Sequence, residues 1–191
     1  MREAFAAGQL DFGENYVQEA LAKIAELADV RDQLRWHLIG PLQSNKAREV
    51  AANFDWVHAV DRMKLAQRLS DLRPPGMAPL QVCLQVNISG EDSKSGVAPE
   101  AALALAREVA ALPGLKLRGL MAIPEPAGDL AAQRVPHRAL RKLFEVLNAE
   151  GLGLDTLSIG MSADLEAAIA EGATWVRVGT AIFGSRPGKT A

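Results

Sequence analysis

The sequence predicts an α/β fold, a (β/α)8 TIM barrel lacking its first strand. Three observations lead there. Short β-like runs alternate with amphipathic helical runs along the whole chain, which implies βαβ units and a parallel sheet. Two of the strands, 80–88 and 115–123, are nearly continuous apolar runs, as expected where both faces of a sheet are covered. The last two strands each end in a Gly- and hydroxyl-bearing loop, where such barrels often hold a phosphate.

Taken in order, "REAFAAG" reads as the last turns of a helix stopped by a glycine cap at Gly8. "DFGEN" (11–15) is a short strand before the helix "YVQEALAKIAELA". "RWHLIG" (35–40) is a strand leading to the helix "LQSNKAREVAANF", and "DWVHAV" (55–60) leads to "DRMKLAQRLSDL". "LQVCLQVNI" (80–88) passes through a polar loop into "PEAALALAREVAAL", where Pro99 suits a first helical turn because its missing N–H costs nothing there. "LKLRGLMAI" (115–123) leads through a Pro-rich loop to a long helix, roughly 131–150. "DTLSIG" (155–160) precedes "SADLEAAIAEG", and "TWVRVG" (174–179) closes the series. That makes seven strands, one short of a closed barrel, in a chain shorter than the typical length of about 250 residues. The opening helix has no strand before it, so a first strand and part of its helix are expected upstream. An open, doubly wound seven-stranded sheet is the structural alternative. Repeats and linkers are absent, so residues 1–191 are expected to form one domain.

Composition narrows the function. Of 191 residues, 49% are apolar and 23% charged, with a net charge of −2, which argues against a nucleic-acid partner. The single cysteine, Cys83, excludes an intrachain disulfide and fits a reducing cytoplasm. No apolar run has the 18–20 or so residues that span a bilayer, so no membrane partner is expected.

The candidate site lies in "IGMSAD" (159–164) and "VGTAIFG" (178–184). Gly160 permits a tight turn and Ser162 stands where a helix N-cap would be, with free N–H groups behind it. Gly179 lets the backbone approach an anion and Thr180 adds a hydroxyl donor. Alternation along the strand sends Trp175 and Arg177 to one side, Val176 and Val178 to the other. An arginine beside a pyridine nitrogen keeps that nitrogen unprotonated and limits the ring as an electron sink, one recurring arrangement for pyridoxal phosphate.

Five motifs occur in order: "FGENYVQEA" (12–20), "WHLIGPLQSNK" (36–46), "VNISGEDSKSG" (86–96), "LRGLMAIP" (117–124) and "LSIGMSADLEAAIAEGATWVRVGTAIFG" (157–184). Together they resemble the pyridoxal phosphate homeostasis family, also called the proline-synthase co-transcribed family, over essentially the whole chain. The resemblance implies a barrel similar to the N-terminal domain of alanine racemase. It implies binding of pyridoxal 5′-phosphate (PLP), buffered or delivered to PLP-dependent enzymes without catalytic turnover by a protein that is a monomer when complete. It places Ser158, Met161, Ser162, Gly179 and Thr180 at the phosphate, Arg177 at the pyridine nitrogen, and Asn15 and Met121 beside the cofactor. The family's Schiff-base lysine falls on the strand expected upstream. The chain as written is therefore expected to be an N-terminally truncated fragment that holds PLP through its phosphate alone. Lys46 and Lys94 sit in family motifs but read as surface or pocket-rim residues.

Two rival functions use the same loops. A PLP-dependent racemase or decarboxylase would need an added β-domain, for which this sequence shows no room, and an opposing acid or base, for which Tyr16 is the only tyrosine. A cofactor-free barrel enzyme on a phosphorylated metabolite is the third possibility. His37, His58 and His137 lack metal-ligand spacing, and no metal is expected. His37 reads as a core histidine, Cys83 as buried and inert, and Glu91, Asp92 and Lys94 as a solvated loop. Trp36, Trp56 and Trp175 read as packing residues. Leu165, Ala168 and Ile169 have the spacing of a core-facing stripe.

Overall fold

A computed structural model describes residues 1–90 and 95–184. Seven strands, β1 (Asp11–Glu14), β2 (Arg35–Leu38), β3 (Trp56–Val60), β4 (Leu80–Gln85), β5 (Leu115–Met121), β6 (Thr156–Met161) and β7 (Trp175–Arg177), pair in sequence order. Every pairing is parallel. The order never reverses, so there is no topological switch point and the doubly wound alternative falls. Strands far apart in that order also touch. The His37 ring on β2 lies 4.9 Å from Trp175 on β7, and His58 on β3 lies 2.8 Å from Ser158 on β6. Such contacts require the sheet to curl, and the seven strands form a nearly closed barrel.

The helices are α1 (Arg2–Ala6), α2 (Val17–Glu26), α3 (Ala47–Asn53), α4 (Met63–Asp71), α5 (Ala102–Ala110), α6 (Leu130–Ala149), α7 (Leu165–Ala170) and α8 (Thr180–Phe183). The predicted cap at Gly8 is present. Its φ is +94°, its N–H donates to Phe5 O (2.8 Å), and the Gln9 N–H donates to Ala4 O (2.9 Å), the paired bonds of a Schellman end. Pro99 opens a short 3-10 turn that feeds α5. Asp129 caps α6 by accepting from the Ala132 N–H at 2.9 Å. α2 and α4 turn Val17, Ala20, Leu65, Ala66 and Leu69 onto the sheet, and with the outward faces of the strands these form the main core. A smaller cluster of Trp56, Ala59, Cys83 and Met121, with Trp175 against it, fills the barrel itself. Arg35 with Asp11, and Arg118 with Asp155, close the interior near the amino-terminal ends of the strands. Cys83 is buried, and burial pushes its thiol up.

Two expectations around β6 change. The helix after β6 begins at Leu165 with Asp164 at its N-cap, so Ser162 is not the cap but an exposed residue of the preceding turn. The core-facing stripe is Ala167 and Ala168, while Ile169 is 59% exposed and Leu165 half-buried. The cause lies at the two ends of α7. Asp164 Oδ2 is bound by His137 Nε2 at 2.9 Å, and Glu171 is gripped by Arg134 (2.7 Å) and Arg138 (2.9 Å), all three partners on α6. Residues 164, 167, 168 and 171 share one helical face, so anchoring its ends turns Ile169 outward. Gly160 allows the close approach: its φ is +90°, and a Cβ there would overlap the Cβ of Ala168.

Gly160→Ala should therefore lower unfolding free energy by roughly 2–4 kcal/mol in urea, combining left-handed strain with overpacking. Adding Ala168→Gly should recover the overpacking share. Glu171 offers a pH test. Hydrogen bonds from Arg138, then Arg134, outweigh burial and hold its carboxyl down at about 2, against 4.5 for a free glutamate. The stability it contributes is complete above pH 4.5 and drains away as pH falls toward 2. Urea unfolding of Glu171→Gln across that window should show a flatter pH dependence than the wild type.

Candidate functional site

The carboxyl ends of parallel strands point to one mouth, and functional groups of such barrels gather there. Met161 and Arg177 are paired positions on β6 and β7. The loops that follow them therefore leave the sheet side by side, which brings together Met161, Ser162, Gly179 and Thr180. The first loop is closed by its own side chain: the Met161 N–H donates to Asp164 Oδ1 at 2.7 Å, and the Asp164 N–H returns to Met161 O at 3.2 Å. His137, buried on α6, holds the other oxygen of Asp164. Ser162 sits exposed on this rigid turn.

The second loop runs directly into α8. Gly179 is its N-cap, and its carbonyl accepts from the N–H groups of Ile182 (3.0 Å) and Phe183 (2.9 Å). Thr180 and Ala181 precede these donors, so their N–H groups have no acceptor within the helical turn. Among the described residues nothing lies within 4 Å of where a Cβ at 179 would sit, so the backbone there is approachable.

Arg177 points into the barrel with Trp175, as alternation predicts. Its Nη1 donates to Ser158 O (2.7 Å) and Ser158 Oγ (2.9 Å), and its Nη2 to Ala122 O (2.9 Å). These bonds use three of the five N–H donors a guanidinium carries. Burial pushes Arg177 down to about 10, partly offset by the charge of Asp164, and it stays a cation at neutral pH. All three acceptors are neutral oxygens, so among the described residues this half-buried cation is solvated by dipoles rather than by a contacting carboxylate. That leaves it suited to an electron-rich ligand atom.

Ser158 is fully buried, with its hydroxyl engaged by Arg177 and His58 beneath the loops. Met121 is buried one residue before Ala122, in the interior cluster. Asn15 is exposed at the end of β1 and lines a separate part of the mouth, a cavity of ≈ 300 Å³ shared with Gly40, Gln85 and Ser95. Gly40 lets the two segments meet there, since a Cβ at 40 would run into the Asn15 backbone. Lys46 lies in a 3-10 turn and pairs with Glu49 at 3.2 Å, as a rim residue would. Glu91, Asp92 and Lys94 fall outside the described residues.

Sequence reasoning missed the polar interior behind Arg177. His37 and His58 are 2.9 Å apart, although they lie 21 residues apart in the chain. A signal existed: "RWHLIG" and "DWVHAV" each carry a histidine in an apolar strand, and a buried histidine needs partners. In parallel pairing His37 aligns with Trp56, which sets His58 two positions further along on the same face. The His137–Asp164 link had no comparable signal, because one partner is on a helix and the other in a loop.

Comparison with known proteins agrees with this geometry. Residues 1–187 match the family described as alanine racemase, N-terminal domain. The pyridoxal phosphate homeostasis protein of Pseudomonas aeruginosa is 66% identical over 186 residues, covering 97% of this chain and 79% of the relative. Its counterpart in Escherichia coli K12 is 52% identical, covering 96% and 79%. PipY of Synechococcus elongatus, solved with PLP bound, superposes with a TM-score of 0.86 at 43% identity, covering 96% of this chain and 85% of that one. Alanine racemase of Clostridium difficile shares the fold alone, with a TM-score of 0.71 at 16% identity. The chain belongs to the pyridoxal phosphate homeostasis family, on the barrel fold of the alanine racemase N-terminal domain.

Proposed function

We propose that this protein binds PLP at the carboxyl-end mouth of the barrel and serves PLP homeostasis by buffering or delivering the cofactor, without catalytic turnover. The observation that carries the reading is Arg177: a half-buried cation with spare donors among the described residues, on the strand whose exit at Gly179 and Thr180 opens an anion-ready turn. The residues present fit the group. Ser162, Gly179 and Thr180, with the backbone after Met161, would hold the phosphate; Arg177, braced by Ser158, would meet the pyridine nitrogen; Met121 and Asn15 would flank the ring and the mouth. PLP, when bound, supplies an aldehyde that amines attack and a ring able to draw electrons from what is attached. Arg177 works against the second property, because a guanidinium donates to the ring nitrogen and does not transfer a proton to it.

The same residues support a non-catalytic role. His37, His58 and His137 are all buried, and each is committed to hydrogen bonds within the protein. Among the described residues no helix is long and apolar enough to cross a membrane. Delivery to PLP-dependent enzymes, action in the cytoplasm and a monomeric state belong to this proposal.

Titration with PLP, followed by tryptophan fluorescence, should saturate and be competed by inorganic phosphate. Thr180→Val should weaken both ligands by about ten- to a hundredfold, the value of one hydrogen bond to a charged group. Arg177→Gln should weaken PLP while leaving phosphate nearly unchanged. Absence of saturation, or equal affinity for pyridoxal without its phosphate, would reject the reading. Tighter binding of a sugar phosphate than of PLP would favour a metabolite enzyme instead.

A further inference from the structure

A line of polar side chains threads the barrel interior from its amino-terminal end to Arg177. Arg35 grips both carboxylate oxygens of Asp11, at 2.5 and 2.6 Å. Asp11 Oδ1 lies 3.0 Å from His37 Nε2, His37 Nδ1 lies 2.9 Å from His58 Nε2, and His58 Nδ1 lies 2.8 Å from Ser158 Oγ. Arg177 Nη1 donates to that same Oγ at 2.9 Å. The residues come from β1, β2, β3, β6 and β7, so the line crosses the barrel rather than following one strand.

The two ends fix the direction of every link. A guanidinium only donates and an ionised carboxylate only accepts. Ser158 Oγ accepts from Arg177, so its own proton goes to His58 Nδ1. His58 then carries its proton on Nε2 and gives it to His37 Nδ1. His37 in turn carries its proton on Nε2 and gives it to Asp11. A placement that sends the Ser158 proton away from His58 leaves that buried hydroxyl without an acceptor among its two partners, which costs about 1–3 kcal/mol.

We propose that Asp11, His37, His58 and Ser158 are positioning residues. They form a one-way hydrogen-bond chain that holds Arg177 for the pyridine end of the ligand, with both histidines neutral and protonated on Nε2. The ligand part of this inference rests on the proposed PLP site; the chain itself does not. The charges facing it agree. Burial above all, with the charge of Arg177 nearby, pushes His58 well below its ordinary value. Burial alone would raise Asp11, but hydrogen bonds from Arg35 and His37 hold it well below the usual carboxylate range. Cys83, also in the interior, has its thiol pushed up by burial and stays uncharged. A second proton on His58 would put another cation near Arg177 and reverse the link to Ser158.

Histidine ring nitrogen-15 shifts, read on labelled protein at neutral pH, test the chain without any ligand. Both His37 and His58 should show a protonated Nε2 and a bare Nδ1. In His37→Phe the acceptor for His58 Nε2 is gone while Ser158 still donates to Nδ1, so the His58 Nε2 signal should lose its hydrogen-bond shift. A purely packing role for His37 predicts no such change. The same variant should bind PLP about fivefold more weakly and inorganic phosphate within about twofold of wild type, since only the ring end is disturbed. Ser158→Ala cuts the chain at its last link and keeps both backbone acceptors of Arg177; it should weaken PLP likewise, and it serves if His37→Phe does not fold. A wild-type His58 protonated on Nδ1 or on both nitrogens overturns the proposal. So does wild-type PLP affinity in the folded variants. If the wild type binds neither ligand, the PLP reading fails while the ring tautomers still decide the chain.

Discussion

A guanidinium inside a barrel must be given acceptors, because an unsolvated cation there would cost several kcal/mol. Much of the interior follows from that need at Arg177. Its three acceptors come from two other strands or their ends: the carbonyl and hydroxyl of Ser158 on β6, and the carbonyl of Ala122 just beyond β5. Ser158 in turn leans on His58, His58 on His37, and His37 on Asp11. The aromatic rings pack around this line, with His37 lying nearly flat on Trp56, 5.4 Å between centroids, and Trp175 against both rings at 4.9 and 5.7 Å. An apolar barrel filling would pack as densely, yet it could not hold a cation at the mouth.

The outer layer does a related job for the phosphate loops. α7 is a helix of six residues, too short to hold its place by propensity. Its position is imposed by α6, through His137 on Asp164 at one end and the arginine grip on Glu171 at the other. Asp164 is shared between that docking and the turn at Met161, so the loop after β6 inherits the rigidity of the long helix. The loop after β7 is ordered differently, by a single helical turn that begins at Thr180. Both loops start from paired positions on adjacent strands, so the sheet register sets the distance between them.

Legibility in the sequence followed periodicity. The seven strands, the long helix and the caps at Gly8 and Pro99 depend on residues close in the chain, and local steric and hydrogen-bonding rules are enough to place them. Arg177 was legible for the same reason, since alternation along a strand tells which side a residue takes. The errors came where orientation is set from outside the segment. Ser162 has the chemistry of a cap, but α7 starts three residues later because Asp164 is pinned by a histidine on another helix. Ile169 has the spacing of a core residue, but the anchored ends of α7 turn it outward.

The sequence alone thus determined the element order, the inward arginine, the two adjacent hydroxyl- and glycine-bearing loops and, through five ordered motifs, the family. These rest on spacings of a few residues. Only the tertiary structure decided that His37, His58 and Ser158 are neighbours, that Asp164 belongs to His137, and that Arg177 is braced from two other strands. Those contacts join residues 19 to 100 positions apart. They exist only once the curled sheet has set its register and brought opposite strands within hydrogen-bonding reach.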